Sequence, residues 1–231
     1  MNKTLRKRHD AQKKAHGVAT GLSDVFATDG AKKNVATLGS TVADVAGQAT
    51  EQEQARIDRQ DAVADCRTLR RVLRGEISLV VKVSALVKLE ESDAKEMQSP
   101  DWGSDDNLLF RARAILNTAT VHAERFVAEG LPPDFLTMLA SQIDRFAAAK
   151  ARVSDAVQRF AAATETIHQR LSMGKQAIGV LEGLLVNAPN APDGALVQLR
   201  QAKRIGPRVK EAPATASSTP APAATPEPKA A

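Results

Sequence analysis

The stretch PDFLTMLASQIDRFAAAKARVSDAVQRFAAATETIHQRLSMGKQAIGVLEGLLVN, Pro133 to Asn187, decides the fold. Stepping by three and four from Leu136 gives Leu136, Leu139, Ile143, Phe146, Lys150, Val153, Val157, Phe160, Thr164, Ile167, Leu171, Gly174, Ile178, Leu181 and Leu185. Only Lys150, Thr164 and Gly174 break the apolar pattern. A 3.5-residue period held for this long marks a helix packed along one seam against other helices. At about 1.5 Å per residue such a helix spans roughly 80 Å. Gly174, Gly179 and Gly183 weaken its last turns, or let a neighbouring helix approach closely.

The other segments follow from breakers. Gly130-Leu131-Pro132-Pro133 ends one helix and starts this one, because proline lacks an interior donor yet fits a first turn. Gln98 to Gly103 and Asn187 to Gly194 read as loops, and Thr28-Asp29-Gly30 as a turn or a helix boundary. Long helices are therefore expected over 3–27, 31–97, 105–129 and 133–187, with a short one over 193–205. Short connections make neighbouring helices antiparallel. Within 31–97 the stripe Val35, Leu38, Val42, Val45, Ala49 gives way to a polar stretch, Gln48 to Asp61, which either projects into solvent or contains a turn. Residues 76–90 alternate as a strand would, but no second segment offers a strand partner, so helix is the preferred reading.

The expected fold class is all-α: an elongated antiparallel bundle of long helices with coiled-coil-like packing. The bundle occupies 1–187. A linker with a short helix covers 188–206, and a disordered tail covers 207–231. That tail holds six of the eleven prolines, separated by Ala, Thr and Ser, and offers too little apolar area to offset its ordering entropy.

Composition agrees. Of 231 residues, 43% are hydrophobic but only 3% aromatic, which suits cores of Leu, Ile, Val and Ala in helices. Five of the six Phe lie between 110 and 160. One cysteine, Cys66, excludes a disulfide framework and reads as a small helix-packing residue. No apolar run is long enough for a membrane span or signal peptide, so a cytoplasmic location is expected.

The formal charge of +5 is unevenly placed. Lys3, Arg6, Lys7, Arg8, Lys13 and Lys14 stand against Asp10 alone at one end. Arg200, Lys203, Arg204, Arg208 and Lys210 stand without any acid at the other. The body between them is mildly acidic. This argues against a nucleic-acid domain with a basic face, and leaves weak non-specific polyanion contact to the ends.

Catalytic chemistry finds no assembled set. Glu165 and His168 share the Glu-x-x-His spacing of di-iron bundles, but those need two such pairs. His9, His16 and His122 follow Arg6, Lys13 and Ala119 at that spacing, so Glu165–His168 reads as a surface pair beside the seam. His122 lies on an apolar face between Ala119 and Phe126 and reads as a packed residue with one satisfied nitrogen. His122-Ala-Glu124 lacks the Pro-Cys-x-x-Cys that would complete a zinc deaminase signature. Gly174-Lys175-Gln176 lacks the rest of a phosphate loop. Asp58, Asp61 and Asp65, interleaved with Arg56 and Arg59, read as a salt-bridged solvated face. Trp102 is expected to bury against the bundle end. Gly17 and Gly21 offer at most a close helix contact. No catalytic, cofactor-binding or metal-ligating residue is assigned, and no cofactor is expected.

The opening Met1-Asn2-Lys3-Thr4 and the long helix after Gly130-Leu131-Pro132-Pro133-Asp134 resemble a bacterial family of uncharacterised all-helical proteins. The resemblance covers about 1–187 and implies a fold without an activity or site residues. The chain also resembles phasins, which coat polyester granules and are helical, aromatic-poor and tipped with Ala/Pro/Lys-rich tails. Its own tail, Ala212 to Ala231, has the single lysine Lys229. The expected function is a non-enzymatic structural or protein-interaction bundle that binds a partner or itself. The phasin resemblance implies the alternative, a coat on a granule or anionic membrane held by amphipathic helices and basic ends.

Overall fold

The computed structural model describes residues 1–98 and 103–204. Seven helices and no strand occur among the described residues: α1 (Lys3–Gly21), α2 (Asp29–Ser84), α3 (Glu91–Glu96), α4 (Asp105–Val121), α5 (Ala123–Ala128), α6 (Phe135–Val186) and α7 (Ala195–Lys203). The expectations for Trp102 and for the tail 207–231 fall outside these residues. The all-helical class holds, and residues 76–84 are the last turns of α2. Two expected helices are each divided in two. The 31–97 segment breaks after Ser84 into a loop and α3, and the 105–129 segment breaks at His122 between α4 and α5.

The helices begin where side chains can accept the first free amides. Asn2 Oδ1 accepts from Leu5 N at 2.9 Å, Thr28 Oγ1 from Ala31 N at 3.3 Å, and Ser104 Oγ from Asn107 N at 3.2 Å. At the end of α5, Gly130 is left-handed with φ 102°, and Leu131 N donates back to Phe126 O at 3.1 Å. Glycine takes this conformation without a Cβ clash, which turns the chain into α6.

The frame is α2 and α6, of 56 and 52 residues, packed together as antiparallel partners. Cross-helix bonds fix the register: Gln52 to Thr164, Asp65 to Arg152, Asp58 to Arg159 and Asp44 to Arg170. Each end of this pair carries a lobe. In the far lobe, α4 and α5 cover the end of α2 and the start of α6. Leu73, Ile77, Leu108, Ile115, Phe126, Leu139, Ile143 and Phe146 are buried together there. In the near lobe, α1 runs antiparallel to α2 and parallel to α6. Ala15, Ala19 and Phe26 bury with Leu38, Ile178, Leu181 and Leu185, while Leu5 buries with Val45, Ile167 and Leu171. The short helix expected in the 188–206 linker is present as α7, and it is docked: Ala195 and Leu199 belong to the same core as Ala15 and Ala19.

Between the lobes only two helices remain among the described residues. The polar stretch of α2 neither turns nor projects; it continues as helix, with Gln52, Ala55 and Ala62 buried. Opposite them α6 buries Ala149, Ala156 and Ala163. These alanines sit one residue before Lys150, Val157 and Thr164, the positions that the simple apolar count placed on the seam. Val157 and Phe160 are instead 42% and 36% exposed, because no third helix covers them.

Phe146 and Phe160 therefore test the design on one helix. Phe146 is fully buried, so Phe146→Ala should cost about 3–5 kcal/mol in denaturant unfolding. Phe160→Ala should cost about 1 kcal/mol or less when the chain is dilute. Equal losses would show that the span is covered.

Candidate functional site

Two features of the chain that lie far apart in sequence meet in the near lobe. The basic N-terminal helix α1 packs on α7, which begins the basic C-terminal stretch, and both pack on the end of α6. A cavity of about 650 Å³ opens between the three helices. Arg8 of α1, His168 and Lys175 of α6, and Lys203 and Arg204 at the end of α7 line its walls. Ala11, Leu171 and Ile178 supply apolar surface. No carboxylate is among the lining residues. Lys203 Nζ is paired with Glu182 Oε2 at 2.6 Å, whereas Arg8, Lys175 and Arg204 make no ion pair among the described residues.

Gln12 ties α1 to α6 beside this cavity, which it also lines. It is only 5% exposed, and its Nε2 donates to Leu171 O at 2.6 Å across the helix interface. Its Oε1 is buried without a hydrogen-bond partner. The close approach requires Gly174: a Cβ there would lie 2.5–2.6 Å from the Gln12 amide atoms. Two histidines add to the seating of α1. His9 Nε2 lies 3.0 Å from Val42 O, and His16 packs where a Cβ on Gly39 would lie 2.7 Å from its ring nitrogen. Of the glycines singled out in the sequence, Gly174 is a contact point. Gly17, Gly21, Gly179 and Gly183 have open space where a side chain would stand.

A second, smaller cavity of about 360 Å³ lies on the two-helix span beside Asp58, Asp61, Asp65 and Asp155. Asp58 and Asp65 do not pair with the interleaved Arg56 and Arg59, as a face confined to α2 would require. Arg159 of α6 meets Asp58 at 2.7 Å, and Arg152 meets Asp65 at 3.1 Å. Arg56 bonds Glu53 instead. The Gln54 amide, together with the Arg159 guanidinium, holds the Asp58 carboxyl below its ordinary pKa. The legible signal for this arrangement was the seven-residue spacing of Asp44, Glu51, Asp58 and Asp65, which places four acids on one edge of the helix pair.

The remaining candidates are dispersed. Glu165 and His168 are exposed on α6, and Glu165 accepts from Gln169 Nε2 at 3.2 Å. His122 is half-buried at the α4–α5 break, its Nε2 2.7 Å from Asp93 Oδ2 of α3. Cys66 is buried in the far-lobe core, and desolvation pushes its thiol pKa up. Among the described residues no group of three His, Cys, Asp or Glu side chains is placed to hold a metal ion. No family model, curated protein or solved structure matches the chain.

The glycines make the α1 contact testable. Gly183→Ala on the open face of α6 should stabilise the fold by about 0.5–1 kcal/mol through helix propensity. Gly174→Ala should gain nothing or destabilise, because Gln12 must leave Leu171 O, and it should recover its gain in a Gln12→Ala background. Glu76 gives a pH test. Its half-buried carboxyl has a raised pKa from desolvation, so its ionisation opposes folding above the ordinary value of 4.5. Below that value the carboxyl is protonated in both states and the penalty vanishes. Glu76→Gln should therefore stabilise the protein at neutral pH, with the gain disappearing in acid unfolding series.

Proposed function

We propose that this chain is a non-enzymatic structural and interaction protein, a helical rod that holds two lobes apart and presents the span between them for association. One observation carries the reading: α2 and α6 cross the space between the lobes without a third helix among the described residues, leaving Ile57, Val157 and Phe160 exposed beside an alanine seam. In a closed bundle such positions would be covered. Exposed apolar residues rimmed by ion pairs are a common character of protein contact surfaces. Association with a second copy is the form to test first, because the span of one copy offers the same groups to another. A cytoplasmic location accords with this reading; no described helix is long and apolar enough to cross a membrane.

A second reading, a phasin-like coat on a granule or anionic membrane, is supported by the meeting of α1 and α7. It concentrates basic residues on one lobe rather than leaving them at opposite ends. Co-sedimentation with granules or anionic vesicles at low salt separates the two readings.

For the first, light scattering should give a concentration-dependent mass, and Val157→Asp with Phe160→Asp should return the monomer while circular dichroism stays strongly helical. A monomer at every concentration, unchanged by these substitutions, would overturn self-association. Turnover of a substrate traceable to one residue would overturn the non-enzymatic reading.

A further inference from the structure

The near-lobe cavity gathers exposed cations from three helices. Arg8, Lys175 and Arg204 come from α1, α6 and the end of α7, and they converge on one cavity with no carboxylate lining it. Like charges gathered in this way attract an anion more than any one of them alone would. Lys203 already has a partner carboxylate, from Glu182 at 2.6 Å. The other three cations have no such partner among the described residues.

We propose that this cavity binds a phosphate-bearing ligand, either a small phosphate ester or the headgroup of an anionic phospholipid. Three points select phosphate. Two of the unpaired cations are guanidinium groups, whose paired N–H donors match phosphate oxygens. The cavity, about 650 Å³, lies within the range of sites for small organic molecules rather than simple ions. Its surface also offers the Ser172 hydroxyl and apolar contact from Leu171 and Ile178, which suit an organic ester carrying polar and apolar parts. The Gln12 bond to Leu171 O and the notch at Gly174 hold α1 against α6, so the cations of the two helices keep their spacing. Gln12 is thus a positioning residue for the site. The proposal concerns one lobe and does not depend on how the two-helix span is used.

The test uses the full chain at low salt with two probes. Glycerol 3-phosphate is followed by calorimetry, and phosphatidylcholine vesicles containing phosphatidylglycerol by co-sedimentation. Arg8→Gln, Lys175→Gln and Arg204→Gln are combined in one variant. Arg67→Gln, Arg71→Gln and Arg113→Gln form a control with the same charge change in and beside the far lobe. The site variant should weaken binding at least about tenfold, in line with the loss of charge-assisted hydrogen bonds, while the control changes little. Selective loss with glycerol 3-phosphate identifies a soluble ester, and selective loss with vesicles alone identifies a headgroup. Equal weakening in both variants would reduce the effect to general charge attraction and overturn the site, as would failure of both probes to bind. Should the triple variant lose its helical signal, Lys175→Glu against Arg113→Glu makes the same comparison with one substitution each.

Discussion

The close antiparallel approach of α2 and α6 is the constraint on which the rest depends. Through the middle of the pair the buried positions are Ala55 and Ala62 on one side and Ala156 and Ala163 on the other. Small side chains let helix axes come near the short end of the usual 8–10 Å range. They also bury little apolar area per turn, so this stretch contributes less hydrophobic stabilisation than either lobe. Register must then come from elsewhere. The acids of α2 at Asp44, Glu51, Asp58 and Asp65 face Arg152, Arg159 and Arg170 of α6. Each exposed pair contributes only about 0–1 kcal/mol. Their arrangement favours α6 over a second α2 as the partner, since pairing α2 with another α2 would set acid against acid, while the single Gln52–Thr164 bond marks the register.

The lobes follow from that weakness. Where the pair is flanked by α4 or α1, the buried residues change from alanine to Leu, Ile and Phe, and the core thickens to three helices. Further polar links tie the added helices to the pair at these places. Arg70 meets Asp105 at 3.1 Å and donates to Gly103 O at 2.7 Å, tying α2 to the start of α4. Lys150 of α6 pairs with Asp106 beside it. Thr118 donates to Glu96 at 2.6 Å, fixing α3 on α4. These contacts set where the third helix begins and hence where the bare span ends.

The frame was largely legible in the sequence, and the reasons for its limits are specific. The apolar period of α6 identified Leu139, Ile143, Phe146, Ile167, Leu171, Ile178, Leu181 and Leu185 correctly as buried. In the middle it placed Val157 and Thr164 on the seam, one residue beyond the buried Ala156 and Ala163, because counting apolar residues favours Val157 and Phe160. At a two-helix contact the small residue faces inward, and the larger ones flank the seam. The same bias hid the α2 seam, where Gln52, Ala55 and Ala62 look polar in aggregate yet continue a heptad from Val45 to Cys66. The candidate site was not legible at all. Its cations lie near opposite ends of the chain. Only the folding-back of α1 and the docking of α7, both decided by tertiary packing at Ala15, Ala19 and Leu199, bring them together.

The bare span is a consequence of helix lengths rather than of a local defect. At about 1.5 Å per residue, α2 runs roughly 84 Å, whereas α1 and α4 cover only some 28 Å and 26 Å of the pair. About 30 Å is left to two helices alone. Such a stretch has half its surface in water and a core of methyl groups, the conditions under which local opening costs least. The lobes, by contrast, are closed by branched and aromatic side chains. The span is therefore the least reinforced stretch of the described frame, with Ile57, Val157 and Phe160 left exposed on it.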